Sequence, residues 1–173
     1  VDEAPFADAW SIDHVRWSDD GGTVYLLYNR RGHQRLCLYA IDAATGALRT
    51  VIDEHSDTFV DYSQKTWLQW LPDEQLLWAS ERDGWNHLYW IDARSGEARQ
   101  VTKGEWVVRK VERVDEKARQ LWFTAYGIRA GLDPYYAHLA RVDFDGGNLT
   151  VLTEADGTHE WTFSPGGAFF VDK

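Results

Sequence analysis

Methionine is absent from the 173 residues and cysteine occurs once, at Cys37. One cysteine cannot close a disulfide within the chain, so the fold must hold without that staple and the redox compartment stays open. Cations are short as well: 18 Lys and Arg stand against 28 Asp and Glu, a formal net charge of −10. Such a chain has nothing with which to release counterions from a phosphate backbone, which removes DNA and RNA from the expected partners. No apolar run approaches the ~20 residues of a membrane-spanning helix, and no basic segment followed by an apolar one opens the chain as a secretory leader would. Val1 stands where an initiator Met would and Lys173 falls inside an expected strand, so the chain is expected to be a piece of a larger protein.

What is abundant is aromatic. Phe, Trp and Tyr make up 14% of the residues, with ten Trp, a composition that favours strands over helices. The stronger signal is a repeat. Leu38-Tyr39-Ala40-Ile41-Asp42-Ala43-Ala44-Thr45-Gly46-Ala47 recurs as Leu88-Tyr89-Trp90-Ile91-Asp92-Ala93-Arg94-Ser95-Gly96-Glu97, and again as Leu139-Ala140-Arg141-Val142-Asp143-Phe144-Asp145-Gly146-Gly147. The interval is about 50 residues, and each copy reads as a strand, an Asp/Gly turn and a second strand (48–52, 98–102 and 149–153). Upstream in each unit lies another hairpin: Val15-Arg16-Trp17-Ser18-Asp19-Asp20-Gly21-Gly22 leads into 23–28, and drifted copies lead into 75–80, 120–125 and 168–172.

Four strands per unit at this period are the signature of propeller blades, whose sheets bury their faces only against neighbouring sheets. The fold class expected is all-β, a partial β-propeller of about three and a half four-stranded antiparallel blades in one domain. The blades are placed at 11–53, 66–102 and 107–153, with a half blade at 159–173. Alternation such as Thr23-Val24-Tyr25-Leu26-Leu27-Tyr28 excludes helix there, and only the first dozen residues are open between strand end and linker. Cys37, between Leu36 and Leu38, reads as a small core residue. Most of the histidines, His14, His33, His55, His87, His138 and His159, read as surface or hairpin residues, and they show no zinc spacing.

The run Ser80-Glu81-Arg82-Asp83-Gly84-Trp85-Asn86-His87-Leu88-Tyr89, followed by Gly96, Val101-Thr102 and Lys103-Gly104-Glu105-Trp106-Val107-Val108, resembles the N-terminal propeller of dipeptidyl peptidase IV-like serine exopeptidases, of the prolyl oligopeptidase clan. Asp133-Pro134-Tyr135-Tyr136, His138-Leu139-Ala140-Arg141-Val142, Leu152-Thr153-Glu154, Gly157-Thr158-His159 and Phe163-Ser164-Pro165 resemble the next blade of bacterial members, so the likeness covers 11–172. It implies a propeller seated on an α/β-hydrolase domain of the same protein, expected after residue 173, that shields the active site and helps hold the ammonium of a peptide substrate. It implies release of dipeptides, often X-Pro, and allows a homodimer of the parent. The paired glutamates that grip the ammonium in this family belong upstream of Val1, so no ammonium-binding residue is carried over. The nucleophile elbow G-x-S-x-G is missing: none of Ser11, Ser18, Ser56, Ser63, Ser80, Ser95 or Ser164 is so flanked. No catalytic residue, cofactor or metal site is therefore expected in this chain.

Strand order puts the loop between second and third strands and the loop leading to the next blade on one face, giving 29–34, 54–66, 82–85, 103–108, 126–136 and 154–160. By the resemblance that face meets the active-site chamber, and 54–66 is the best local candidate. The residues singled out for the chamber or the domain interface are Asp61, Tyr62, Arg82, Asp83, Trp85, Tyr135 and Tyr136. Arg82, Asp83 and Trp85 also have an ordinary reading as residues that order a hairpin. Asp143-x-Asp145-x-Gly147 with Glu154 mimics a calcium loop in part, but Asn148 stands where such a loop needs Gly, and a hairpin turn explains the same residues. Asn148-Leu149-Thr150 is a formal glycosylation sequon. The function expected is that of the non-catalytic propeller segment of a dipeptidyl peptidase IV-like exopeptidase, in the periplasm or cytoplasm of a bacterium with the periplasm ahead. The alternatives are a stand-alone propeller that binds or scaffolds in the bacterial envelope, and a propeller enzyme working from its own funnel.

Overall fold

A computed structural model describes residues 3–173, and its strands form antiparallel sheets without crossovers. The first sheet is β1 (Ala9–Trp17), β2 (Thr23–Arg30), β3 (Arg35–Asp42) and β4 (Leu48–His55), in that order. The second is β5 (Leu68–Trp70), β6 (Gln75–Ser80), β7 (His87–Asp92) and β8 (Ala98–Gln100), and the third is β9 (Val107–Asp115), β10 (Gln120–Tyr126), β11 (Ala137–Asp143) and β12 (Thr150–Val151). A two-stranded sheet, β13 (Trp161–Phe163) and β14 (Phe170–Asp172), follows. The helical residues described are two single 3-10 turns, Ala4–Phe6 and Pro72–Glu74. By compactness the chain divides into two units, Val1–Leu77 with Ile91–Ala98, and Trp78–Trp90 with Arg99–Lys173.

Strands β2 and β3 are buried along nearly their whole length, on both faces. That is why 24–28 and 36–41 are continuous apolar and aromatic runs, where a half-exposed strand would alternate, which corrects the alternation expected over 23–28: the strand stands, but both of its faces are covered. The Asp/Gly turns work by side-chain capture. Asp42 Oδ1 accepts the amides of Ala44 (3.1 Å) and Thr45 (2.7 Å), and Gly46, at φ +72°, returns its N–H to the Asp42 carbonyl at 2.8 Å. Asp92 repeats this with Arg94 and Ser95. Asp143 takes the side-chain amides of Asn148 (2.7 Å) and Gln120 (2.8 Å), so the calcium-like pattern serves as a hairpin turn. Hydrogen bonds to Thr45, Ser95 and Asn148 respectively hold all three carboxyls below their ordinary pKa.

Each four-stranded sheet also carries a latch from the head of its third strand to the chain at the tail of its fourth. His87 Nδ1 lies 3.0 Å from Thr102 Oγ1, which accepts the Leu88 amide at 2.9 Å. His138, Thr153 and Leu139 repeat the arrangement at 3.0 and 3.2 Å. His87 Nε2 faces the Gly104 carbonyl at 3.0 Å and must donate there, which leaves Nδ1 to accept from the threonine hydroxyl. In the first sheet the equivalent places hold Cys37 and Asp53, with Sγ 3.3 Å from Oδ1 and Arg35 bidentate on the carboxylate at 2.9 and 2.7 Å. Burial pushes the Cys37 thiol up to about 11, so it stays protonated, while the Arg35 hydrogen bonds hold Asp53 low. The expectation that the histidines lie at the surface is corrected for His87, His138 and His159, which are buried because hydroxyl, carbonyl or carboxylate groups satisfy their ring nitrogens.

In the first unit a carboxylate does the joining. Glu74 is 3% exposed at φ +60°, takes the Tyr25 hydroxyl on Oε2 and the Asp19 amide on Oε1 at 3.3 Å, and its own carbonyl accepts the Ala93 amide at 2.9 Å. Burial, then the hydrogen bond to Glu74, pushes the Tyr25 phenol well above its ordinary range and keeps it a donor. Glu74→Ala should cost about 1–3 kcal/mol, the penalty of leaving a buried hydroxyl unpaired, with Glu74→Gln costing less because an acceptor survives. Urea midpoints of the two variants check this; equal midpoints for Ala and wild type would contradict it.

Candidate functional site

In each four-stranded sheet, the turn between its second and third strands, or the residue that opens the third strand, meets the segment that follows its fourth strand. The Ser56 and Val60 amides donate to the carbonyls of Gln34 (3.0 Å) and His33 (2.7 Å). His87 Nε2 reaches the Gly104 carbonyl, and Arg129 Nη1 reaches the carbonyls of Thr153 (3.3 Å) and Glu154 (2.9 Å). Loops that are paired in this way present their side chains from a fixed scaffold, which is where binding groups tend to sit.

In the first unit, β4 runs to His55, beyond the end expected at 52, and Glu54 is buried. The loop proper is therefore 56–67, a correction to the expected start at 54. Asp61 organises it: Oδ1 accepts the amides of Ser63 (3.3 Å) and Gln64 (3.1 Å), and its carbonyl accepts those of Lys65 (3.3 Å) and Thr66 (3.2 Å). With its carboxylate committed to the turn, Asp61 shapes the loop. Tyr62 stacks on His33, ring centroids 4.2 Å apart and planes 24° apart. His33 in turn meets Trp10 edge-on at 5.2 Å and Phe59 at 5.7 Å, and its Nδ1 lies 3.1 Å from Asn29 Oδ1. Trp10 (52% exposed) and Phe59 (48%) form the outer wall of this cluster, and Arg31 lies over Trp10 at 5.6 Å.

In the second unit, Arg82, Asp83 and Trp85 share the β6–β7 turn. Arg82 donates from N (3.1 Å) and Nε (3.0 Å) to Ser80 Oγ and lies over the Tyr89 ring at 4.6 Å. Asp83 takes the Trp85 amide at 3.1 Å on one oxygen and the Gln100 side-chain amide on the other. Those bonds order the hairpin and tie it to β8, while the Trp85 ring stays 41% exposed. Tyr135 and Tyr136 cap a turn set by Asp133, whose Oδ1 accepts the Tyr135 amide at 2.9 Å and whose carbonyl accepts that of Tyr136 at 3.1 Å. Tyr135 projects, 81% exposed. A cleft of about 500 Å³ opens between Lys110, Glu112, Thr124, His159 and Trp161, with the Lys110 ammonium spent on Glu112 at 2.8 Å. At its rim both ring nitrogens of His159 face oxygen: Asp172 at 2.9 Å and the Ala155 carbonyl at 3.0 Å.

The residues around Tyr62, namely Trp10, His33 and Phe59, were not singled out from the sequence. The buried His/Thr pairs did leave a trace, since His87 and Thr102 recur as His138 and Thr153 at the repeat interval.

The family model described as "Dipeptidyl peptidase IV (DPP IV) N-terminal region" matches residues 2–173. The chain is 28% identical over 94 residues to dipeptidyl peptidase 4 of Arthroderma otae and to that of Trichophyton equinum, covering 53% of this chain and 12% of each relative. Among solved structures, Porphyromonas gingivalis dipeptidyl peptidase 4 matches with a TM-score of 0.68 at 21% identity, covering 91% of this chain and 22% of that one. That likeness shows the fold, a partial β-propeller whose sheets are three four-stranded blades and a two-stranded half blade. The matched stretch thus spans about an eighth of the length of these curated relatives.

Proposed function

The chain belongs to the family of dipeptidyl peptidase IV N-terminal regions, and from that premise we propose that it is the non-catalytic propeller segment of a dipeptidyl peptidase IV-like serine exopeptidase. In this reading it admits and positions peptide N-termini, and a separate α/β-hydrolase domain of the same protein releases dipeptides, often X-Pro. The observation that carries the reading is the family match along residues 2–173, in a sequence with no G-x-S-x-G elbow. A walled chamber excludes folded proteins, and holding the peptide's end at a fixed distance from a nucleophile turns proteolysis into counting by twos. Asp61, Tyr62, Arg82, Asp83, Trp85, Tyr135 and Tyr136 are the chamber or domain-interface residues of this proposal. The exposed rings of Trp85 and Tyr135 have the character of residues that an adjoining domain covers.

The test is an assay of the full-length protein with a Gly-Pro chromogenic substrate. Cleavage is expected, with no cleavage once the substrate's amine is acetylated, and with KM raised several-fold in Tyr62→Ala. A full-length protein that folds and leaves the substrate intact sinks the reading and favours a scaffold or binding module.

A further inference from the structure

His33 sits at the crossing of three segments. Its backbone closes the β2–β3 turn at φ +56°, with its N–H on the Arg30 carbonyl at 2.9 Å. Its carbonyl takes the Val60 amide at 2.7 Å from the middle of the 56–67 loop. Its ring, half-buried, is stacked on Tyr62 at 4.2 Å, edge-on to Phe59 at 5.7 Å and to Trp10 of β1 at 5.2 Å. Asn29, 4% exposed at the end of β2, fixes the ring's rotation through Oδ1 at 3.1 Å from Nδ1. The loop's own ties, the turns of Ser56 and Asp61, shape it locally. Besides Ser56 N–H on the Gln34 carbonyl and the Gln34 side-chain amide on the Asp57 carbonyl, the hydrogen bonds and ring contacts described between the loop and the rest of the blade converge on this one residue.

We propose that His33 is a positioning residue for substrate: it holds Tyr62 and the 56–67 loop in the pose that receives a peptide. The inference rests on the proposed function for the placement of that loop at the chamber. It does not rest on it for the mechanical claim, which the contacts carry. Tyr62 has no hydrogen-bonded side-chain partner among the contacts described, so the flat face of the imidazole sets where its phenol ring lies. Ring pairs of this kind order a loop through their geometry as well as through buried area.

The experiment compares His33→Asn and His33→Phe in the full-length protein. Asparagine is at home at positive φ, so it keeps the turn and removes the ring; phenylalanine restores a ring without the nitrogen, at some backbone strain that lowers overall stability and is read separately from a urea midpoint. Hydrogen exchange over 56–67 is expected to quicken in His33→Asn, while the β2 and β3 amides stay protected. KM for the Gly-Pro substrate should rise about three- to tenfold with kcat little changed, and His33→Phe should recover part of both effects, the ring contacts returning without the Asn29 hydrogen bond. Unchanged exchange over 56–67 in His33→Asn overturns the proposal whatever the activity. Faster exchange with an unmoved KM overturns the link to substrate, and with it the placement of this loop at the chamber. If the full-length protein cleaves nothing, the proposed function fails by itself and the exchange result still decides what His33 holds.

Discussion

Phe123→Ala is expected to cost the fold about 3–5 kcal/mol, a large share of the roughly 5–15 kcal/mol that holds a domain of ordinary stability. Phe123 is fully buried at the centre of β10, opposite Val111 of β9 on one side and Ala140 of β11 on the other. Its ring lies parallel to Trp106, centroids 5.7 Å and planes 8° apart, and Trp106 is held edge-on by His87 at 4.8 Å. Removing the ring leaves a hole lined by hydrogen-bonded strands, which cannot close over it without breaking their ladders. The neighbours Leu121, Ala125, Leu139 and Ala140 are themselves fully buried, so no loose side chain is at hand to fill the space. Phe123→Leu should cost markedly less because most of the volume is kept. Urea titration followed by tryptophan fluorescence measures both, and an Ala variant within 1 kcal/mol of wild type (about 1 kcal/mol being the cost of an average substitution) would show that this stack is not what holds the second unit.

Gly104→Ala should cost about 2–4 kcal/mol, although it adds a single methyl group. Gly104 sits at φ +136°, and a Cβ there would lie 2.3 Å from Trp106 Nε1 and 2.6 Å from Cδ1. The indole must move, and moving it breaks the stack on Phe123 and the edge contact with His87. The Gly104 carbonyl also accepts from His87 Nε2 at 3.0 Å, so backbone relaxation to relieve the clash undoes the latch of the second sheet. Gly84→Ala is the matched control: its φ is +95°, yet nothing lies within 4 Å of the added carbon, so only backbone strain is expected. Faster hydrogen exchange at 101–108 and a red-shifted tryptophan emission in Gly104→Ala, absent in Gly84→Ala, are the expected signatures. Equal stability of the two variants would count against the clash.

The repeat made the sheets legible, because strand, turn and strand recur where Leu, Asp and Gly recur. The strand ends were less so. β4 outruns its expected end because Arg35 and Leu36 still have partners in His55 and Glu54, and a polar pair of that kind reads as loop until its facing strand is known. Glu74 shows the same limit more sharply. In sequence it is the tail of a Pro-Asp-Glu turn, and what makes it a buried joint is a tyrosine 49 residues away. Tyr62 could be picked out as an aromatic in a long loop, but Arg31-Gly32-His33 reads as a solvated turn, and nothing local tells that the imidazole is roofed by three other rings. Buried His87 and His138 were legible in principle: a histidine and a threonine that return together at the blade interval mark a contact.

The latches bear on how such a molecule could arise. Every donor and acceptor of the His–Thr closure is supplied by the stretch of gene encoding one repeat and the few codons after it. Copying that stretch copies a finished hydrogen-bond circuit, so duplication delivers a new module whose His–Thr latch is already closed. The Cys37–Asp53 version, with Arg35 recruited to balance the carboxylate, shows the circuit rewritten in other chemistry without being opened.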